Sequence, residues 1–225
     1  MSRLVLPCVE VEPPGPARAT VLFLHGLGAD GHDFEPVVPL LGFPRSHGVR
    51  FVFPHAPSRP VTVNRGMVMP AWYDIRGVDL AQSPDAHGIE SSTRFIRTLL
   101  ERESERGIPP DRIVLAGFSQ GGAMALQVGL THPHSLAGIL GLSCYLPLPD
   151  HVRGEEAQAN RSTPIFMGHG TADDIVPVGR GEASRTFLQS AGYAVDWRTY
   201  PMAHQVDAQE IVDVGEWLQE RLLKR

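Results

Sequence analysis

The sequence predicts an α/β fold with a mostly parallel central sheet flanked by helices, and three features predict it. Short apolar runs rich in β-branched and aromatic residues alternate with longer amphipathic stretches. Several of those short runs are apolar almost throughout, as parallel strands covered on both faces are. Glycines and prolines stand at the joints where such elements must stop. At 225 residues the chain suits one larger α/β domain, 1–225, better than two ordinary ones.

Taken in order, segment 4–11 ends at Pro13, Pro14 and Gly15 and reads as an edge strand in a hairpin with 20–24. VLFL (21–24), RFVF (50–53), IVLA (113–116), GILGL (138–142), IFM (165–167) and DWRTY (196–200) read as strands. Helical patterns cover 33–41, 89–106, 119–131, 180–191 and 205–223. The last is the clearest: Val206, Ile211, Val214, Leu218 and Leu222 recur three to five residues apart and approximate one stripe. Gly107, Gly192 and the Pro109, Pro110 pair supply stops. Two long irregular stretches remain, 54–88 and 143–163, and loops of that length in compact domains usually carry function.

Composition narrows the function classes. Hydrophobic content of 42% with 20% charged residues is ordinary for a soluble protein with a substantial core. A net charge of −5 without a basic face argues against nucleic-acid binding. Cys8 and Cys144 lie far apart in no CxxC pair, so neither a disulfide framework nor a zinc site is expected. Ten histidines include no HExxH or equivalent, and no metal is expected. The N-terminus is too short and too acidic in its apolar stretch for a signal peptide. No run approaches the ~20 apolar residues of a membrane span. The expectation is a cytoplasmic protein without stable membrane insertion.

Residues 117–121, GFSQG, match G-x-S-x-G between a strand and a helix, the context that motif requires. In so sharp a turn the central residue is strained, and Gly117 and Gly121 give strand and helix room to approach. The alternative for Ser119 is a helix N-cap. A nucleophilic serine needs a base within hydrogen-bond reach and a third group to orient it, in the chain order Ser, acid, His. Downstream, HGTADDIVP (169–177) follows one strand and YPMAH (200–204) another. Both lie past the C-terminal ends of strands, where open parallel sheets bind ligands. Asp173 and Asp174 are adjacent and spacing does not separate them; His169 precedes both, whereas His204 has the expected order. Asp173 and His204 are favoured. For the oxyanion, Gln120 offers a backbone N–H at a helix N-terminus, and Leu27, in the HGLG loop after an early strand, offers a second.

These blocks, with LHGLGADGHDF (24–34), PHAPSRPVT (54–62), MPAWYDI (69–75) and LSCYLPL (142–148), resemble the acyl-protein thioesterase and carboxylesterase family of α/β-hydrolases over residues 20–220. The resemblance implies Ser119 as nucleophile, Asp173 as acid, His204 as base, and Leu27 and Gln120 as oxyanion donors. It also implies an acyl groove, for which Trp72, Tyr145 and Ile175 are candidate walls. The family often has tryptophan where this chain has Tyr145, which makes the groove more polar. No added cap domain is visible, only the 54–88 segment leaning over the site. By family analogy a homodimer is compatible with the sequence.

The reaction this implies is cofactor-free, two-step acyl transfer to water from a small-molecule ester or acyl-thioester substrate. Short to medium esters are favoured, since no lipid anchor or basic membrane patch is present. The alternatives are protein S-deacylation or lysophospholipid hydrolysis, transfer to an acceptor such as peroxide, and, from another class, a non-catalytic binding module on a hydrolase scaffold.

Overall fold

The computed structural model describes residues 5–77 and 84–223. In chain order the strands are β1 (Cys8–Val11), β2 (Ala19–Leu24), β3 (Val49–Pro54), β4 (Ser58–Val61), β5 (Met67–Pro70), β6 (Ile113–Phe118), β7 (Gly138–Leu142), β8 (Ile165–Gly170) and β9 (Val195–Tyr200). The α-helices are α1 (Ala86–Glu105), α2 (Gln120–Leu130), α3 (Val178–Ser190) and α4 (Ala208–Leu222). Seven strands form one sheet in the order β1-β3-β2-β6-β7-β8-β9, parallel except for β1, while β4 and β5 make a separate hairpin.

The two-residue period of a strand sorts the core into two layers. Leu22, Leu24, Val52, Leu115 and Ile139 meet α1 and α2 through residues such as Ile96, Leu99 and Met124. Their neighbours Val21, Phe23, Phe51, Val114 and Leu140 meet Val214, Trp217 and Leu218 of α4 on the other face. Every residue of α2 is buried, its two glutamines included, so the helix is enclosed on all sides. This sandwich explains why β2, β3, β6 and β7 are apolar almost from end to end.

The chain leaves β2 to pair with β3 on one side, while β6 to β9 build outwards on the other. The sheet order therefore reverses between β2 and β6, where Leu24, the last residue of β2, pairs with Gly117, the next to last of β6. A crevice opens at such a switch point because the two following loops depart in opposite directions. The loops starting at His25 and Ser119 are the two that meet there.

The expected hairpin between 4–11 and 20–24 is not formed. Both edges of β2 are occupied by parallel partners, so β1 pairs antiparallel with β3, Cys8 opposite Pro54 and Val11 opposite Phe51. The charges in and just after it suit that outer position: Glu10 reaches Arg102 and Arg106 at 2.9 and 2.8 Å, and Glu12 reaches Arg50 at 2.8 Å. Leu4 lies outside the described residues. The helix expected over 33–41 is a 3-10 segment, Glu35–Leu41, because Pro36 and Pro39 have no N–H for an α-helical ladder. Helix α1 starts three residues earlier than expected, with Asp85 accepting from Gly88 N at 3.2 Å. Stretch 54–88 contains the β4–β5 hairpin, and 143–163 contains two 3-10 segments, Pro149–Val152 and Glu155–Asn160. Gly107 and Gly192 do end helices, at φ of 90° and 88°.

Among the described residues, the buried carboxyl of Glu210 lies outside any pairing. Asp207 caps α4 by accepting from Glu210 N at 2.8 Å, while the Glu210 side chain turns inwards against Gly168. It also borders an apolar cavity of about 30 Å³. Neither carboxyl oxygen has a hydrogen-bond partner among the described residues. Burial, helped by Asp207 and Asp213, pushes its pKa up to about 8. The folded pKa exceeds the unfolded one, so stability from this group is full below the ordinary carboxylate pKa and is lost as pH rises towards 8. Glu210→Gln is expected to gain on the parent protein from pH 5 to pH 8 by on the order of 4 kcal/mol. Denaturant unfolding across that range checks it, and a pH-independent difference would refute it.

Candidate active site

Ser119 is the single residue between the end of β6 and the start of α2. Its backbone has φ 55° and ψ −120°, a conformation that costs a non-glycine residue of order 1–3 kcal/mol. Neighbouring glycines permit it. A Cβ on Gly117 would collide with the Gly121 carbonyl group, and one on Gly121 would collide with Leu24 O. The turn is anchored by Ser119 N donating to Leu142 O at 2.8 Å. The hydroxyl makes no capping bond to the helix; Ser119 Oγ lies 2.9 Å from His204 Nε2.

His204 and Asp173 meet because the chain after β8 is stitched to the chain after β9. Thr171 N donates to Tyr200 O at 2.8 Å and Ala172 N to Met202 O at 3.0 Å. Gly170 lets this happen, since a Cβ there would strike the carbonyls of Met202 and Ala203. His204 Nδ1 is 2.7 Å from Asp173 Oδ2. Ile175 N and Val176 N donate to Asp173 Oδ1 at 3.0 and 2.8 Å, which holds the carboxyl plane. With Nδ1–H spent on the acid, Nε2 is left as the acceptor for the serine hydroxyl.

The two residues that spacing left open fall elsewhere. Asp174 is exposed at the cleft and makes no bond to His204. His169 is fully buried behind the acid, with Nε2 2.7 Å from Val176 O, and burial pushes its pKa down.

The loop after β2 faces Ser119 and is held by side chains the sequence reading did not single out. Ala56 N donates to His25 Nε2 at 3.0 Å, so the neutral ring presents Nδ1–H to Gly26 O at 2.8 Å. Burial lowers the pKa of His25 and favours that neutral form. Gly28, at φ 77°, donates to Pro70 O at 2.9 Å. The Gln120 side chain does the rest: its Oε1 accepts from Trp72 N at 2.8 Å and its Nε2 donates to Tyr73 O at 2.7 Å. A polar side chain within an otherwise apolar, buried helix needs such partners, which is the signal that could have found it. The Gln120 N–H itself, first in α2, has no acceptor within the helix, and Leu27 N has none among the described residues.

Above this floor lies a cleft of about 630 Å³, walled by Leu27, Val63, Ile75, Tyr145 and Ile175, with Ser119, Gln120 and His204 at its base. Ile175 is 63% exposed and forms the rim, whereas Tyr145 is buried to 9%. Trp72 corrects the expected wall. It is wholly buried beneath the cleft, its Nε1 donating to His25 O at 2.9 Å, so the indole N–H finds its acceptor in the interior of that loop. Among the described residues no group of three or more His, Cys, Asp or Glu could hold a metal ion, and no helix is long and apolar enough to cross a membrane. The arrangement can pass a proton from a hydroxyl to an imidazole, beside a cleft that Leu27 and Gln120 also line.

The phospholipase/carboxylesterase family profile matches residues 7–222. An acyl-protein thioesterase 1 from Gibberella zeae is 43% identical over 215 residues, covering 91% of both chains. One from Neurospora crassa is 44% identical over 222 residues, covering 94% of this chain and 91% of the other. The crystal structure of Zea mays acyl-protein thioesterase 2 superposes with a TM-score of 0.84 at 29% identity, covering 96% of this chain and 99% of that one.

A hydroxyl activated as this geometry allows reacts with a fluorophosphonate. Peptide mapping by mass spectrometry is expected to find one adduct, on Ser119, that largely disappears in His204→Ala. An unlabelled, folded parent protein would show the turn to be inactive.

Proposed function

Because this chain belongs to the phospholipase/carboxylesterase family, we propose that it is a thioester hydrolase of the acyl-protein thioesterase type, working through Ser119, His204 and Asp173. The observation that carries this reading is the unbroken run of hydrogen bonds from Asp173 through His204 to Ser119, ending on a cleft beside two backbone N–H groups. Action on ester or thioester bonds follows from the family; the thioester preference rests on the names of the relatives. This reverses the expected preference for small esters.

In the first step His204 Nε2 takes the Ser119 proton as Oγ attacks the carbonyl carbon. Asp173 keeps the imidazole in the required tautomer and stabilises its charged form. The Leu27 and Gln120 N–H groups receive the oxyanion, and both are held by the clamp described above before substrate arrives, so little reorganisation is left for the transition state. His204 then hands its proton to the departing thiolate or alkoxide. Water enters, gives its proton to His204, and attacks the acyl-enzyme; collapse releases the carboxylic acid and restores Ser119.

A second reading, hydrolysis of small carboxylic esters, draws support from the polar tyrosine pair in the cleft wall. Comparing an S-acylated peptide with a short aryl ester of the same acyl group separates the two. The thioester is expected to have the higher kcat/KM; an aryl ester favoured well beyond its greater chemical reactivity would reverse the assignment. Ser119→Ala is expected to lower kcat by on the order of 10⁴ or more on either substrate, and retention of most turnover would end the mechanism. Gln120→Ala keeps the oxyanion N–H but frees Trp72 and Tyr73, so kcat is expected to drop about tenfold while covalent labelling of Ser119 persists.

A further inference from the structure

Tyr73 and Tyr145 both line the cleft, yet they are only 2% and 9% exposed. Their hydroxyls are 3.1 Å apart and bonded to each other, and neither has another partner among the described residues. Burial pushes both phenols upwards in pKa, so both keep their protons. Two phenols carry two O–H donors, and the bond between them uses one. A buried donor without an acceptor is costly, and here one proton remains unspent.

The location of that proton follows from enclosure. Either hydroxyl can donate in that bond; Tyr73 is the more deeply buried, so the arrangement that leaves the second O–H nearer open space has Tyr73 donating to Tyr145. Tyr145 alone borders both the Ser119 cleft and the adjoining groove of about 280 Å³ along Leu146, Pro147 and Phe187. The pair is tied to the Gln120 side of Ser119 through the Gln120 Nε2 bond to Tyr73 O at 2.7 Å. The departing group must lie at His204, which protonates it, so the pair faces the acyl portion. Leu27, Val63 and Ile75 supply apolar wall around it, with Asn64, Asp33 and Asp174 the other polar side chains lining the cleft besides Ser119, Gln120 and His204.

We propose that the Tyr145 hydroxyl donates a hydrogen bond to an oxygen carried on the substrate's acyl chain, so that the cleft selects oxygenated acyl groups over plain alkanoyl groups of equal length. The inference rests on the hydrolase reading above and names the acyl class for it.

The test uses two N-acetylcysteamine thioesters, hexanoyl and 4-oxahexanoyl, whose chains differ by one methylene replaced with an ether oxygen. The readout is the ratio of kcat/KM for the two, corrected by their rates of alkaline hydrolysis, in the parent protein, Tyr145→Phe and Tyr73→Phe, each checked for a native melting transition. The ratio is expected to favour the ether in the parent protein and to fall about fivefold in Tyr145→Phe. Tyr73→Phe removes the partner but leaves the Tyr145 donor, so its ratio is expected to match the parent. Any other pattern among the three proteins overturns the assignment to Tyr145. Failure of both thioesters to turn over in a Ser119-dependent way overturns the hydrolase reading, and this inference with it.

Discussion

The molecule is organised around one steric constraint: three backbone segments converge at van der Waals distance around Ser119. The carbonyl of Leu24 at the end of β2, the last turn of β6 and the first turn of α2 share a space in which no Cβ fits at 117 or 121. The positive φ of Ser119 follows from that approach and turns the side chain out of the core instead of into it. Strain of this kind persists only where surrounding structure over-determines it. Here the sheet on one side, the fully buried α2 on the other, and the Ser119 N bond to Leu142 O supply that surround.

The remaining site residues are held by the same economy of main-chain bonding. The loops after β8 and β9 are stitched by backbone bonds, so Asp173 and His204 are brought together by register more than by mutual attraction. The loop after β2 is held by His25 and by the Gln120 amide, each with its donor and acceptor matched. A network with every member satisfied is rigid as well as stable. Rigidity is what charge stabilisation at two N–H groups requires, because a donor that must reorient during reaction contributes less.

Much of this was legible in the sequence because the signals were local. Apolar runs such as 113–116 announced buried parallel strands, and G-x-S-x-G announced the turn through its two small residues. The order of HGTADD and YPMAH put an acid and a base on successive strand ends. What escaped was decided by competition between distant segments. Nothing within 4–11 says that β2 already has two partners, so the hairpin expectation failed. Trp72 reads as a groove aromatic until its indole N–H is seen to need the His25 carbonyl. The clamping role of the Gln120 side chain belongs to no motif, although a buried amide has to bond to something. The preference between thioesters and small esters was not legible at all, since either presents the same carbonyl to the same floor.

That the two proposed oxyanion donors, the N–H groups of Leu27 and Gln120, are main-chain atoms has a consequence for how such a protein can diverge. A side-chain substitution cannot delete an N–H, short of proline, so random change leaves this part of the machinery nearly untouched. Variation is instead free to accumulate in the walls, at positions such as Val63, Ile75 and Tyr145, where each exchange alters what fits without dismantling what reacts. Inheritance here is split between two carriers: glycines and backbone register transmit the chemistry, and the loop side chains transmit the diet.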